Sequence, residues 1–255
     1  MAQFLFLRER KNRWSDSSFI MSIIQFPLEL LQQIFLLADN PRFVKVCRTF
    51  RDAINAYPSL KIQWLLQRHG NDCQRALEEG QRWGFFDVTI LQQLDATNYQ
   101  RLLKAGKRNP PKQLLFTKRP LATRLFKEDD RDGRNYDLVK TLLERGALPD
   151  YPNGYPMVKS IQKGNAKMVK LLLDYNAKID KLALTLIVNL NNYEIAKLLL
   201  EKGVAADGEL LAMAAKKNNG RMMDLLKKYG AEPDKILMNH YDENPSYILH
   251  KHSLS

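Results

Sequence analysis

The sequence predicts an all-α protein built largely as a stack of short helix pairs. Three observations point there. Four leucine-rich segments repeat in register: LVKTLLERGALPD from Leu138, MVKLLLDYNAKID from Met168, IAKLLLEKGVAAD from Ile195 and MMDLLKKYGAEPD from Met222. Each closes on Gly or Asn (Gly146, Asn176, Gly203, Gly230), the residues that tolerate the left-handed backbone of a helix C-terminus. Alternation of the kind a half-buried strand needs is hard to find anywhere in the chain.

The repeats begin at intervals of 30, 27 and 27 residues. Within each, the apolar residues fall at helical spacing, as Met168, Leu171 and Leu172 do. A second short helix is predicted before each leucine helix. Tyr155-Pro156-Met157 opens one that runs to Gly164; Ala183 to Asn191 and Leu211 to Asn218 are its copies. A pair this short cannot bury its own apolar face, and stacking the pairs makes a continuous core. A further unit is expected from Pro120 to Asp150, with the charged insertion Glu128 to Asp132 between its helices.

The segment Asn153 to Asp180, NGYPMVKSIQKGNAKMVKLLLDYNAKID, resembles the ankyrin repeat. It has the glycine turn, the proline at helix entry, small residues inside the first helix, Gly before the second, then the leucine run and closing turn. Proline is missing from the first helices of the last two units, and their 27 residues fall short of the family's ~33, which implies shortened hairpin tips. The resemblance implies a protein-binding array that recognises its target through the hairpin tips and the exposed side of the first helices. Tyr155, Lys159, Lys163, Lys216 and Lys217 are the expected target-binding residues.

Nearer the N-terminus, residues 26–50 read FPLELLQQIFLLADNPRFVKVCRTF. Pro27 suits the first position of a helix, Leu30, Leu31, Ile34 and Phe35 share one face, and Asn40-Pro41 breaks the run. Phe43, Val44, Val46, Cys47 and Phe50 start a second amphipathic segment. The order of residue types resembles the F-box, over about Ile24 to Ser59, with a linker at Leu37 to Pro41 a few residues shorter than the family's. The resemblance implies docking on the linker subunit of a cullin-RING ubiquitin ligase through Phe26, Pro27, Leu30, Leu31, Ile34, Phe35, Val46, Cys47 and Phe50. Box, WLL-x-RHG segment and repeats together resemble fungal F-box/ankyrin-repeat proteins.

The expected organisation is a disordered leader at 1–22, the F-box-like motif at 23–60, and a helical cap of irregular repeats at 61–119. The ankyrin repeats follow at 120–238 and a tail at 239–255. Met21 is an alternative start. In the middle segment Trp64, Trp83, Phe85 and Phe86 are expected in the core, and Lys104 to Pro120, with Gly106 and three prolines, reads as a loop or broken repeat.

The net charge is +12, and the middle is its most basic part: residues 61–135 carry 15 basic and 9 acidic residues, with no acid from Ala96 to Lys127. A solvated lysine-rich surface is the preferred account; contact with nucleic-acid phosphate is the alternative. Two cysteines are too few for a disulfide framework, and the four histidines do not sit at metal spacing with them, so no metal and no cofactor is expected. The N-terminal apolar run is shorter than a signal-peptide core and no run reaches the ~18–20 residues of a membrane span, so a cytoplasmic or nuclear protein without a membrane partner is expected. Phosphate-binding glycine loops, GxSxG and HExxH are absent. The expected function is therefore a protein-binding adaptor and not an enzyme. It is read as the substrate-recognition subunit of a Skp–cullin–F-box ligase or, alternatively, as an ankyrin scaffold or inhibitor with no ligase link.

Overall fold

Helix ends in this chain are closed by specific side chains, and the closures recur with the repeat. In the computed structural model, residues 27–38, 48–127, 130, 132–151, 153–179 and 181–233 are described. They form thirteen helices and no strand. Packing divides the chain between Leu114 and Leu115 into two units.

The first unit holds α1 (Leu28–Leu37), α2 (Arg48–Asn55), α3 (Pro58–Arg68), α4 (Cys73–Gly80) and α5 (Val88–Lys104). Asp72 caps α4 by accepting from the Gln74 and Arg75 amides, and Asp87 caps α5 by accepting from Ile90. Trp64 of α3 is the centre of the core and fully buried. Phe35 of α1 packs at 6.2 Å from its ring, and Trp83 and Phe85 meet it edge-on at 5.3 and 5.8 Å, the favoured geometry for aromatic quadrupoles. The indole N–H of Trp64 and the Arg68 guanidinium both donate to the Ala38 carbonyl, at 2.9 and 2.7 Å. They fasten the C-terminal end of α1, whose last carbonyls have no partner within the helix. After α5 the chain is irregular, as expected. It is pinned by Asp95, a buried carboxylate that accepts from the Leu114 amide at 2.8 Å.

The second unit holds α6 (Arg124–Lys127), α7 (Arg134–Glu144), α8 (Tyr155–Gln162), α9 (Ala166–Asp174), α10 (Lys181–Asn189), α11 (Tyr193–Glu201), α12 (Gly208–Lys216) and α13 (Gly220–Lys228). They are four antiparallel pairs. The first helices pack in the order α6, α8, α10, α12, while α9, α11 and α13 form a second layer. Before α6 the chain pairs with the first hairpin: Phe116 donates to the Arg145 carbonyl, Lys118 to Gly146, and Leu148 to Arg119.

Each leucine helix ends in one motif. Gly146, Asn176, Gly203 and Gly230 adopt φ of 94°, 59°, 89° and 90°. The next amide reaches back five residues, Ala147 to Leu142, Ala177 to Leu172, Val204 to Leu199 and Ala231 to Leu226, the bond of a Schellman cap. The first helices of the last three units end likewise, at Gly164, Asn191 and Asn218, with φ of 66°, 54° and 52°. The following asparagine serves both helices. The backbone amides of Asn165, Asn192 and Asn219 close the helix behind them. Their side chains accept from Met168, Ile195 and Met222 at 3.0–3.1 Å and cap the helix ahead.

The first pair solves the same problem differently. Gly133 turns left-handed before α7, and Asp130 accepts from the Asn135 and Tyr136 amides at 2.8 and 2.7 Å. The acidic insertion thus contributes a cap, a role its charge alone does not reveal.

Two stability predictions follow from these contacts. Asn192→Ala removes a cap and costs about 1 kcal/mol, read as a lowered urea midpoint at unchanged slope. Gly80→Ala, which raises helix propensity, destabilises instead, because its Cβ lies 2.6 Å from the buried Phe86 ring. The expected loss is roughly 1–3 kcal/mol, measured the same way.

Candidate binding face of the helix array

The 27-residue register places equivalent side chains of α8, α10 and α12 side by side, so one position in each helix makes a row across the array. The first row is Tyr155, Leu182 and Glu209; the second is Val158, Thr185 and Ala212; the third is Lys159, Leu186 and Met213. Interior positions alternate with these. Met157, Ile161, Leu184, Ile187, Val188 and Leu211 are buried, and so is Ala212 at the end of the second row. Leu182 stands out from them at 71% exposed, and Val158 is exposed at 37%. At the tip before α8, Tyr151 is exposed at 54%. Tyr155, Thr185, Leu186 and Met213 are half-buried along the same helices. Together they form an apolar strip with a polar border, the pattern of a surface that another protein covers.

The five expected target-binding residues divide by role. Lys163 and Lys217 are braces between repeats: the Lys163 ammonium donates to the Lys127 carbonyl at 2.6 Å and that of Lys217 to Asn189 at 2.8 Å. Each occupies the last carbonyls of the preceding first helix, where positive charge also suits the helix dipole. Lys159 is half-buried and held by Gln162 at 3.1 Å. Tyr155 is half-buried, and Lys216 is exposed at the end of α12. The lysine emphasis of the sequence reading thus named two residues that join repeats and passed over Leu182, Val158 and Tyr151. The missed signal was phase. Leu182 falls outside the buried set of its helix, and aligning the units at 27 residues puts it beside Tyr155.

In the first unit, the described F-box candidates divide as well. Leu31 and Phe35 are buried in that unit's own core. Leu30 and Leu37 are exposed at 45% and 72%, Ile34 is half-buried between them, and Pro27 is exposed. Leu30, Ile34 and Leu37 lie four and three residues apart and share one face of α1. Phe26, Val46, Cys47 and the side chain of Phe50 lie outside the described residues, as do the leader and the tail.

Among the described residues no group of three or more His, Cys, Asp or Glu is placed to hold a metal, and no helix is long and apolar enough to cross a membrane. The Cys73 thiol is pushed up from its ordinary pKa by burial, opposed in part by the neighbouring Arg101 guanidinium. That is the opposite of an activated nucleophile.

Residues 131–209, from the insertion before α7 into α12, match the family model for ankyrin repeats in three copies. The chain carries ankyrin repeats. No curated protein and no solved structure matches it. The F-box resemblance has no counterpart in these comparisons.

Because Leu182 projects away from the core, Leu182→Asp is expected to change folding stability by no more than about 0.5 kcal/mol. A melting curve superimposable on wild type checks this and qualifies the variant as a probe of binding alone.

Proposed function

We propose that the chain is a two-ended, non-catalytic adaptor acting in the cytoplasm or nucleus. Its ankyrin array grips a target protein, and α1 docks the linker subunit of a cullin-RING ubiquitin ligase. The observation that carries the first half is the apolar strip of Val158, Leu182, Leu186 and Met213 across adjacent first helices. The second half is supported by the stripe Leu30, Ile34 and Leu37, in which Leu30 and Leu37 are exposed and Ile34 is half-buried. In this reading Leu31 and Phe35 hold α1 in place and the stripe makes the contact.

A scaffold with no ligase link is the competing reading. It is favoured by the commitment of Leu31 and Phe35 to the chain's own core, which leaves fewer anchors for a partner. Co-purification with the ligase linker subunit separates the two. The adaptor reading expects capture by wild type and loss of at least about tenfold with Leu30→Asp plus Ile34→Asp, since interface anchors of this kind are worth more than ~1.4 kcal/mol. Wild type that captures nothing excludes the ligase link and leaves the scaffold. Leu182→Asp should leave linker capture intact while removing the proteins labelled by proximity to the array.

A further inference from the structure

A groove in the first unit has no part in the adaptor reading. It opens between α3 and α5 and encloses about 620 Å³. One wall is a row at four-residue intervals, Ser59, Gln63, Gln67 and Asn71, the first three on α3. The other wall is Gln93, Thr97 and Arg101 of α5, again four residues apart. The floor is apolar, made by Ile62 and Leu66, both buried. Two helices therefore present facing polar walls above an apolar base: a serine and two glutamines on α3, and Gln93, Thr97 and Arg101 on α5, where the Thr97 hydroxyl donates to the Gln93 carbonyl at 2.8 Å and keeps its acceptor capacity. Among the described residues, no hydrogen bond engages the side-chain amides of Gln63, Gln67 or Gln93.

The spacing fits one kind of occupant. Four residues of helix rise about 6.0 Å; two residues of an extended chain advance about 6.6–6.8 Å. Successive amides on a wall therefore meet every second peptide group of an extended segment laid along the groove, with a mismatch per step that a glutamine side chain absorbs. Each carboxamide both donates and accepts, as a peptide group does. A helix would offer nothing to these walls, because its own backbone bonds are satisfied internally. In an extended segment alternate side chains would point down onto Ile62 and Leu66. The helical part of the α3 wall, Ser59 to Gln67, spans about 12 Å, room for roughly four residues.

One end of the groove is charged. Arg101 donates to the Asn71 carbonyl and lies 3.7 Å from the Cys73 sulfur, and its guanidinium has donors to spare. No carboxylate lines the groove. Beyond Arg101, exposed Lys104, Lys107 and Arg108 continue the positive charge, within the stretch from Ala96 to Lys127 that has no acid. We infer that this groove binds an extended segment of a partner protein, main chain along the two walls and an acidic side chain at the Arg101 end. The first unit is then a peptide reader independent of the ankyrin face.

The test uses full-length protein on an immobilised array of random-sequence octapeptides, half of them carrying one Asp or Glu. Wild type is expected to retain acid-containing peptides preferentially. Gln63→Ala plus Gln67→Ala should weaken retention roughly tenfold across sequences, and Arg101→Gln should abolish the preference for acid by a similar factor. Ala96→Trp, which adds bulk at an exposed lining position and removes no contact, should block binding. Leu182→Asp should leave all of it unchanged. Absence of acid-dependent retention overturns the inference, as does retention that survives Ala96→Trp or is lost with Leu182→Asp.

Discussion

The last three helix pairs of the second unit all depend on a two-residue corner. A left-handed Gly or Asn ends the first helix, and the asparagine after it caps the next. Helices of eight or nine residues are too short to hold themselves together in water, and each would expose unpaired amides and carbonyls at both ends. The corner settles those groups within two residues and fixes the angle at which the leucine helix turns back. With that angle constant at 27-residue intervals, the apolar faces meet and the interior closes around Leu172, Leu199 and Leu226 and their partners, all fully buried. The side-chain rows of the first helices inherit the same constancy. Rows such as Tyr155, Leu182 and Glu209 line up only because these three corners are alike.

The first unit is held by a different device. Trp64 gathers three aromatic rings around itself and spends its one polar atom on the end of α1. Arg68 sits over the same ring, 4.6 Å from its centre, and binds the same carbonyl. Desolvation of the indole N–H, which would be costly unpaired, becomes the means by which a short helix is fastened. The groove between α3 and α5 is walled by polar residues that these two helices turn away from the aromatic core.

Much of this architecture was legible. Leucine periodicity and the recurring Gly or Asn located all four leucine helices, and the helix pair around the acidic insertion was read from its flanks. Trp64 and Phe86 were correctly placed inside. Chain-distant bonds were not legible. Nothing local marks Asp130 as the cap of α7 across a left-handed glycine, nor Asp95 as the anchor of Leu114, nor Lys163 and Lys217 as bonds to the repeat before. Residue type alone does not single out the candidate face either. Lysine is the default exposed residue, so its exposure says little, whereas an exposed leucine beside buried ones says a great deal, and only alignment of the units shows which leucine that is.

The lysine braces have a mechanical consequence. Lys163 ties the second pair to the first and Lys217 ties the fourth to the third, where Asn219 also donates to Asn191 at 3.3 Å. In the third pair the equivalent position is Leu190, exposed and unable to donate. The Lys202–Asp174 ion pair joins the second and third pairs on the other layer. Coupling in a solenoid runs only between neighbours, so each lysine brace acts on a single seam, Lys163 on the first and Lys217 on the third.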